Sequence, residues 1–359
     1  VRIPSSGFAL TEKKKSGDKV KKLITLTGVA CACTLNLAHA QSAVTLYGII
    51  DNGIEYRNTT GGSVARAVSG GLFASRYGLK GSEDIGGGMA INFQLEQGFS
   101  GVTGAAANAA AAFNRQAWVG VSGVFGEARI GLQNTPQYMF MNPELDPVAV
   151  MSIGSPMNSF NSLTIRENNA ISYFTPTLHG VTAQFMVAMR DATTKPVNGI
   201  QFYNAAVRYV NGPFRLAAGY EQAANATGTS ILKLFNAGGS VTIGAARLYL
   251  AYHTERQTDD SVKRDVYEVS GAYSFTPADQ LALMYGYAHD RLGQGNNAQQ
   301  IGVTYSYSLS KRSTLYGSAG FIQNRNLAKF TLNGTGYTGL AVAPGTDSRG
   351  VVVGMVHRF

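Results

Sequence analysis

From Val44 onward the chain repeats one pattern: stretches of roughly ten residues with apolar and polar side chains in alternation, closed by turns and polar loops. Along Val44 to Tyr56, the residues Val44, Leu46, Gly48, Ile50 and Ile54 share one parity, and Thr45, Tyr47, Asp51 and Glu55 the other. Val181, Ala183, Phe185, Val187 and Met189 alternate with Thr182, Gln184, Met186, Ala188 and Arg190, and the same rhythm runs from Gln299 to Leu309. Successive side chains of a strand point to opposite faces, so each stretch offers one face to an apolar solvent and the other to water. That is the pattern of a membrane-crossing sheet, which must close on itself because no water satisfies an open edge in hydrocarbon.

Tight turns are expected near Glu83 to Gly86, Gly123 to Gly126, Pro176 to Gly180, Asn211 to Pro213, Thr242 to Gly244, Thr276 to Asp279 and Ser310 to Arg312. Longer connections are expected around 57–71, 100–112, 134–163, 191–199, 223–229, 255–264, 291–297 and 324–347. Seven turns and eight loops join sixteen strands, which predicts an all-β fold, a 16-stranded antiparallel transmembrane β-barrel. Sixteen tilted strands of about ten residues need roughly 160 of the residues available. An even count puts both chain ends beside the short turns, the periplasmic side in barrels of this kind.

The beginning of the chain follows other rules. Lys19, Lys21 and Lys22 precede the apolar run Leu23 to Leu37 and then Ala38-His39-Ala40. This is a secretory leader with a small-x-small site, and cleavage is expected between Ala40 and Gln41. Residues 1–40 are then removed, leaving 41–359 as the barrel. Val20-Lys21-Lys22-Leu23 reads as the natural start of the leader, with Val1 to Lys19 an upstream extension. The chain carries 30 Lys and Arg against 21 Asp and Glu, and seven of the former and two of the latter lie in residues 1–40, so the remainder has a surplus of +4. So small a surplus argues against nucleic acid as a partner. Both cysteines, Cys31 and Cys33, fall within the leader, which excludes disulfides and thiol chemistry from the rest.

Several short signals carry little. Gly334-Thr335-Gly336-Tyr337-Thr338-Gly339 matches a dinucleotide fingerprint but has no strand before it and no helix after it. His179, His253, His289 and His357 lack ligand-like spacing for a metal, and no nucleophile elbow is present. The reading is therefore of a protein that is not an enzyme and needs no cofactor. Ala105 to Ala112 has two readings, a helical or ordered segment of the second loop and a low-complexity loop. Lys311-Arg312 reads as a solvated turn.

Five segments in order carry a family resemblance: Val44-Thr45-Leu46-Tyr47-Gly48, Ser75 to Gly86, Asn114 to Gly120, Leu309 to Ser313 and Val353 to Phe359. Together they closely resemble the general porins of β-proteobacteria, over essentially the whole chain after the leader. The resemblance implies a homotrimer of sixteen-stranded barrels in the Gram-negative outer membrane, in contact with lipid and lipopolysaccharide. Each barrel is expected to pass small hydrophilic solutes and ions by passive diffusion. The third extracellular loop, about 134–163 here, is expected to fold inward and narrow the channel. Its Pro143-Glu144-Leu145-Asp146 resembles the family's proline-acid motif, which implies that Glu144 and Asp146 face arginines on the wall. Phe359, on the apolar parity of the last strand, is the aromatic signal expected to be read by the barrel-assembly machinery.

Arg76, Arg115 and Arg166 stand out on independent grounds. Each lies eight to ten residues before an expected short turn, on the second, fourth and sixth strands, so they share a height at intervals of roughly 10 Å. Lys80 shares the parity of Arg76 and extends the basic stripe by roughly 13 Å. Such charges must face the lumen, since a basic side chain on the lipid face near the midplane costs about 2 to 4 kcal/mol. They give the pore a preference for anions. The competing structural role for the arginines is pairing with acids on the wall. Two other functions fit the same strands: a substrate-selective anion channel, and a plugged barrel serving adhesion or structure.

Overall fold

The computed structural model describes residues 43–148, 152–189, 199–225, 227–332 and 340–359. The expected leader with its Ala38, Ala40 and Gln41 cleavage site, and the 334–339 glycine motif, lie outside them. Seventeen strand segments form one sheet among the described residues. The first eight are β1 (Ala43–Thr59), β2 (Gly62–Ser69), β3 (Arg76–Gly86), β4 (Met89–Gly98), β5 (Gln116–Gly123), β6 (Gly126–Asn134), β7 (Arg166–Phe174) and β8 (Val181–Met189). Then come β9 (Ile200–Asn211), β10 (Phe214–Ala224), β11 (Ile231–Ile243), β12 (Ala246–Gln257) and β13 (Lys263–Thr276). The last are β14 (Asp279–Asp290), β15 (Ala298–Ser308), β16 (Ser313–Asn324) and β17 (Ser348–Arg358).

Every ladder is antiparallel, and β17 pairs back onto β1 from Ile49↔Arg358 to Asn58↔Arg349, so the sheet is a closed sixteen-stranded barrel. At the seam the Gly48 amide donates to the Phe359 carbonyl at 3.0 Å and the Phe359 amide to the Gly48 carbonyl at 3.1 Å. The Phe359 ring lies over Gly48, where a Cβ would run into it.

Seventeen segments make sixteen strands because the second is in two pieces. β2 pairs with the far half of β1, from Asn52↔Ser69 to Thr59↔Gly62, and β3 with the near half, from Ala43↔Ser82 to Ile49↔Arg76. The connection expected at 57–71 is thus a correction: β1 runs on to Thr59 and returns through Thr60-Gly61 as a hairpin. Residues 62–69 alternate well enough to take ladder partners, and Gly62 supplies the positive φ (111°) that the return requires. The break falls at 70–75, where Asp51 holds the chain. One of its carboxylate oxygens accepts the Leu72 and Phe73 amides at 2.7 Å each, and the other accepts the Tyr316 hydroxyl at 2.7 Å.

The alternation sorts the two faces. Leu248, Leu250, Leu283, Ile301 and Val353 stand exposed on the outer parity, while Gln184, Glu221, Asn236 and Gln300 of the opposite parity are wholly buried. The outer face is an apolar belt, and the inner one is polar and packed against a loop from the same chain.

That loop contains two helices that the alternation did not foretell, α1 (Pro136–Leu145) and α2 (Pro156–Phe160). Thr135 caps α1, its hydroxyl accepting the Tyr138 amide at 3.4 Å, and Pro136 takes the first position, where a missing N–H costs nothing. Pro143 removes a donor from the last turn, and Asp146-Pro147 follows the end. Ser155 caps α2 through the Asn158 amide at 3.1 Å. α1 packs on β8 to β12 and α2 on β13 to β15. Between the helices the Ser152 hydroxyl meets those of Thr304 (3.1 Å) and Ser318 (2.9 Å), and Gln300 donates to the Ile153 carbonyl at 3.1 Å. The approach is close because Gly302 has no side chain: a Cβ there would collide with the Gly154 carbonyl. The Ala105 to Ala112 segment forms no helix; it is ordered against the end of β4, with Ala107 donating to the Gly98 carbonyl at 2.9 Å.

Candidate functional site

Arg76 and Arg166 open β3 and β7, and Arg115 directly precedes β5, so all three sit at the strand ends away from the short turns. Glu96 on β4, the strand between β3 and β5, draws two of them together. Arg115 Nε reaches Glu96 Oε1 at 2.6 Å and Arg76 Nε reaches Oε2 at 3.3 Å, while the Tyr47 hydroxyl donates to Oε2 at 3.0 Å. Arg76 and Arg115 are thus both paired with an acid on the wall. Arg166 makes no ion pair among the described residues, and its buried Nε has no hydrogen-bond partner among them. It nonetheless lies within electrostatic reach of Arg115, Arg76 and Tyr138. Two guanidinium groups therefore share one carboxylate, and the third stands near them with Glu96 acting on it only through space. Lys80 lies further along β3 on the same face, with its ammonium 5.5 Å above the Tyr47 ring. Nearer the short turns, Arg129 pairs with Glu127 at 2.6 Å and is held flat between the rings of Trp118 (4.0 Å) and Phe174 (4.3 Å).

Neither acid of the third loop makes an ion pair with this cluster among the described residues. Glu144, at the end of α1, is buried against a second basic group: Arg247 at 3.1 Å, Arg215 at 3.7 Å and Arg208 at 3.9 Å. Sequence reasoning missed these three. Each stands on the inward parity of its strand, beside outward Val207, Leu216 and Leu248, so the alternation itself held the signal.

Asp146 makes no ion pair among the described residues. It accepts the Ser155 hydroxyl and the Val148 amide (2.8 Å), and lies within electrostatic reach of Glu268 on β13. Burial pushes its carboxyl up to about 7, against hydrogen bonds from Ser155 and Val148 that pull it down. The folded form therefore holds a proton that the unfolded chain, near 3.8, releases sooner. Its contribution to loop docking is full below about 3.8, fades as pH rises and is gone above about 7. Thermal unfolding in detergent between pH 4 and 8 should show stability declining over that window, and Asp146→Asn should flatten the decline. An equal slope in the variant would refute it.

Comparison with known proteins decides the family. The profile described as Gram-negative porin matches residues 26–327. Outer membrane porin protein 32 of Delftia acidovorans is 31% identical over 356 residues, covering 94% of this chain and 99% of that protein. The chain belongs to the Gram-negative porin family. An outer membrane porin of Bordetella pertussis is 27% identical, over 90% of this chain and 96% of its own length. Among solved structures, an anion-selective porin from Comamonas acidovorans superposes with a TM-score of 0.76 at 29% identity, covering 89% of this chain and all of that one. OmpT of Vibrio cholerae, at 15% identity and a TM-score of 0.67, shares the fold. The apolar belt of this porin therefore faces the lipid of a Gram-negative outer membrane, and its polar inner face lines a channel.

Proposed function

We propose that this porin carries out passive diffusion of small hydrophilic solutes with a preference for anions, set where Arg76 and Arg115 share the single charge of Glu96 and Arg166 stands unpaired beside them. The loop bearing α1 and α2 narrows the lumen, and the uncompensated guanidinium groups bias what passes. A small ion about 5 Å from one unpaired charge feels roughly 1 kcal/mol at bulk dielectric and about 3 at an effective dielectric of 20. That is enough to select and too little to trap. The sharing of Glu96 while Arg166 is left over carries the reading. The anion selectivity named for the Comamonas acidovorans porin supports it. No catalysis and no cofactor are needed, because concentration gradients drive the flow. The assembled unit in this reading is a homotrimer, as a trimer form of the Vibrio cholerae barrel is known. Phe359 serves as the assembly signal, and residues 1–40 as the leader.

Liposome swelling with sugars and the reversal potential under a KCl gradient test both halves. Swelling with a potential of anion-selective sign is the expected result. Absence of swelling would identify a plugged barrel, and a potential near zero would remove the anion preference.

A further inference from the structure

We propose that Arg208, Arg215 and Arg247, gathered around Glu144 near the short-turn end of the lumen, form a second anion station that binds a small dianionic oxyanion. The proposal rests on the anion-preferring channel above and adds to it a separate place and a separate ligand charge.

The three arginines come from β9, β10 and β12. Arg208 pairs across the ladder with Ala217, Arg215 with Val210, and Arg247 with Thr242. Arg215 and Arg247 are each the second residue after a short turn, whereas Arg76 and Arg166 begin their strands at the opposite end. With a strand rise of about 3.3 Å per residue and a tilt of about 40°, the two groups are separated by roughly 20 Å along the channel. They are distinct stations.

Their roles differ. Arg247 uses its donors on the protein: Nε and Nη2 bond the Ser240 hydroxyl at 2.9 and 2.7 Å, and Nη2 also bonds Glu144 at 3.1 Å and the Pro143 carbonyl at 3.3 Å. That alone fastens the end of α1 to the wall. Arg208 and Arg215 lie 3.9 and 3.7 Å from Glu144 Oε1, beyond hydrogen-bond range, and neither makes a hydrogen bond among the described residues. Both are a third or more exposed, while Glu144 is wholly buried and its Oε1 accepts no hydrogen bond. Arg208 is held against the Phe140 ring at 4.9 Å, which leaves its guanidinium edge free, while Arg247, its donors engaged, lies over Tyr249 at 4.7 Å.

A planar edge with paired N–H donors suits an oxyanion better than a spherical halide. Among the groups within ion-pair range alone, three positive charges stand against one negative, a surplus that favours a dianion. Glu144 limits that surplus and lies behind the two partly exposed arginines, Arg208 and Arg215. Were the cluster only an anchor for α1, Arg208 and Arg215 would be expected to bond it, as Arg247 does.

The test uses the purified porin in planar bilayers at pH 8, carrying KCl current, with inorganic phosphate added to either side. Wild type should show saturable block by phosphate and none by nitrate at equal concentration. Arg208→Ser with Arg215→Ser should raise the half-blocking concentration at least tenfold, while the KCl reversal potential keeps its anion-selective sign because the first cluster is untouched. Glu144→Gln, by adding one net positive charge, should lower it severalfold. Should the serine pair fail to insert, Arg208→Lys with Arg215→Lys keeps the charges without the paired donors and should raise it severalfold. No saturable phosphate block in wild type, equal block by nitrate, or unchanged block in the variants would overturn the station. A wild-type reversal potential near zero would instead overturn the anion-preferring channel, whatever the block.

Discussion

Arg115→Ser combined with Arg166→Ser should enlarge single-channel conductance and turn the ion preference toward cations. At present three guanidinium groups face the Glu96 carboxylate; the double variant leaves Arg76 alone with it, and that stretch of wall becomes neutral. Each lost charge removes about 1 to 3 kcal/mol from an anion passing at about 5 Å. With tenfold for every 1.4 kcal/mol, the loss of two charges should lower the anion-to-cation permeability ratio by at least about tenfold. The barrel should tolerate the change. Arg76 at 3.3 Å and the Tyr47 hydroxyl at 3.0 Å still hold Glu96, so the roughly 3 to 5 kcal/mol cost of stranding a buried charge is not incurred in full. Reversal potentials under a salt gradient provide the measurement. If the potential of the double variant equals that of wild type, these arginines do not set selectivity.

Gly302→Val should change conduction more than stability. Its side chain would occupy the space of the Gly154 carbonyl, so the stretch between α1 and α2 must lift from β15 and β16, stretching the Ser152 contacts to Thr304 and Ser318. Overpacking of this kind costs about 1 to 3 kcal/mol, charged to the loop rather than to the ladders that close the barrel. Conductance and open-channel noise should rise, with far-UV circular dichroism unchanged and the melting temperature in detergent a few degrees lower. Gly317→Val is the control: the nearest atom a Cβ would meet there is Val353 Cγ1 at 3.8 Å. Equal conductance in the two variants would show that the loop does not narrow the path.

The strands were legible because their signal is local. Leu283, Tyr285, Ile301 and Tyr305 face outward and Ala282, Met284, Gln300 and Thr304 inward, following parity alone. The split second strand was not, because Thr59-Thr60-Gly61-Gly62 has the composition of a loop, and only pairing with β1 makes 62–69 a strand. α1 and α2 were hidden for a related reason. A ten-residue helix containing a proline has little propensity of its own and forms because the wall behind it supplies partners such as Asn204 for the Gln137 amide. At the site, Arg76, Arg115 and Arg166 could be found from their matched spacing to the next turn. Which acid meets which arginine depends on the path of the loop, a long-range property, and so Glu144 lies against Arg208, Arg215 and Arg247.

The seam between β1 and β17 has a consequence for how the molecule is made. Its ladder joins residues roughly three hundred positions apart, the most expensive loop in the chain to close. Until those two strands meet, the sheet is a curled ribbon with two raw edges, each able to capture a foreign strand. Loop-closure entropy therefore predicts that circularisation comes late in folding, and the Phe359 ring seated over Gly48 is among the contacts that it completes.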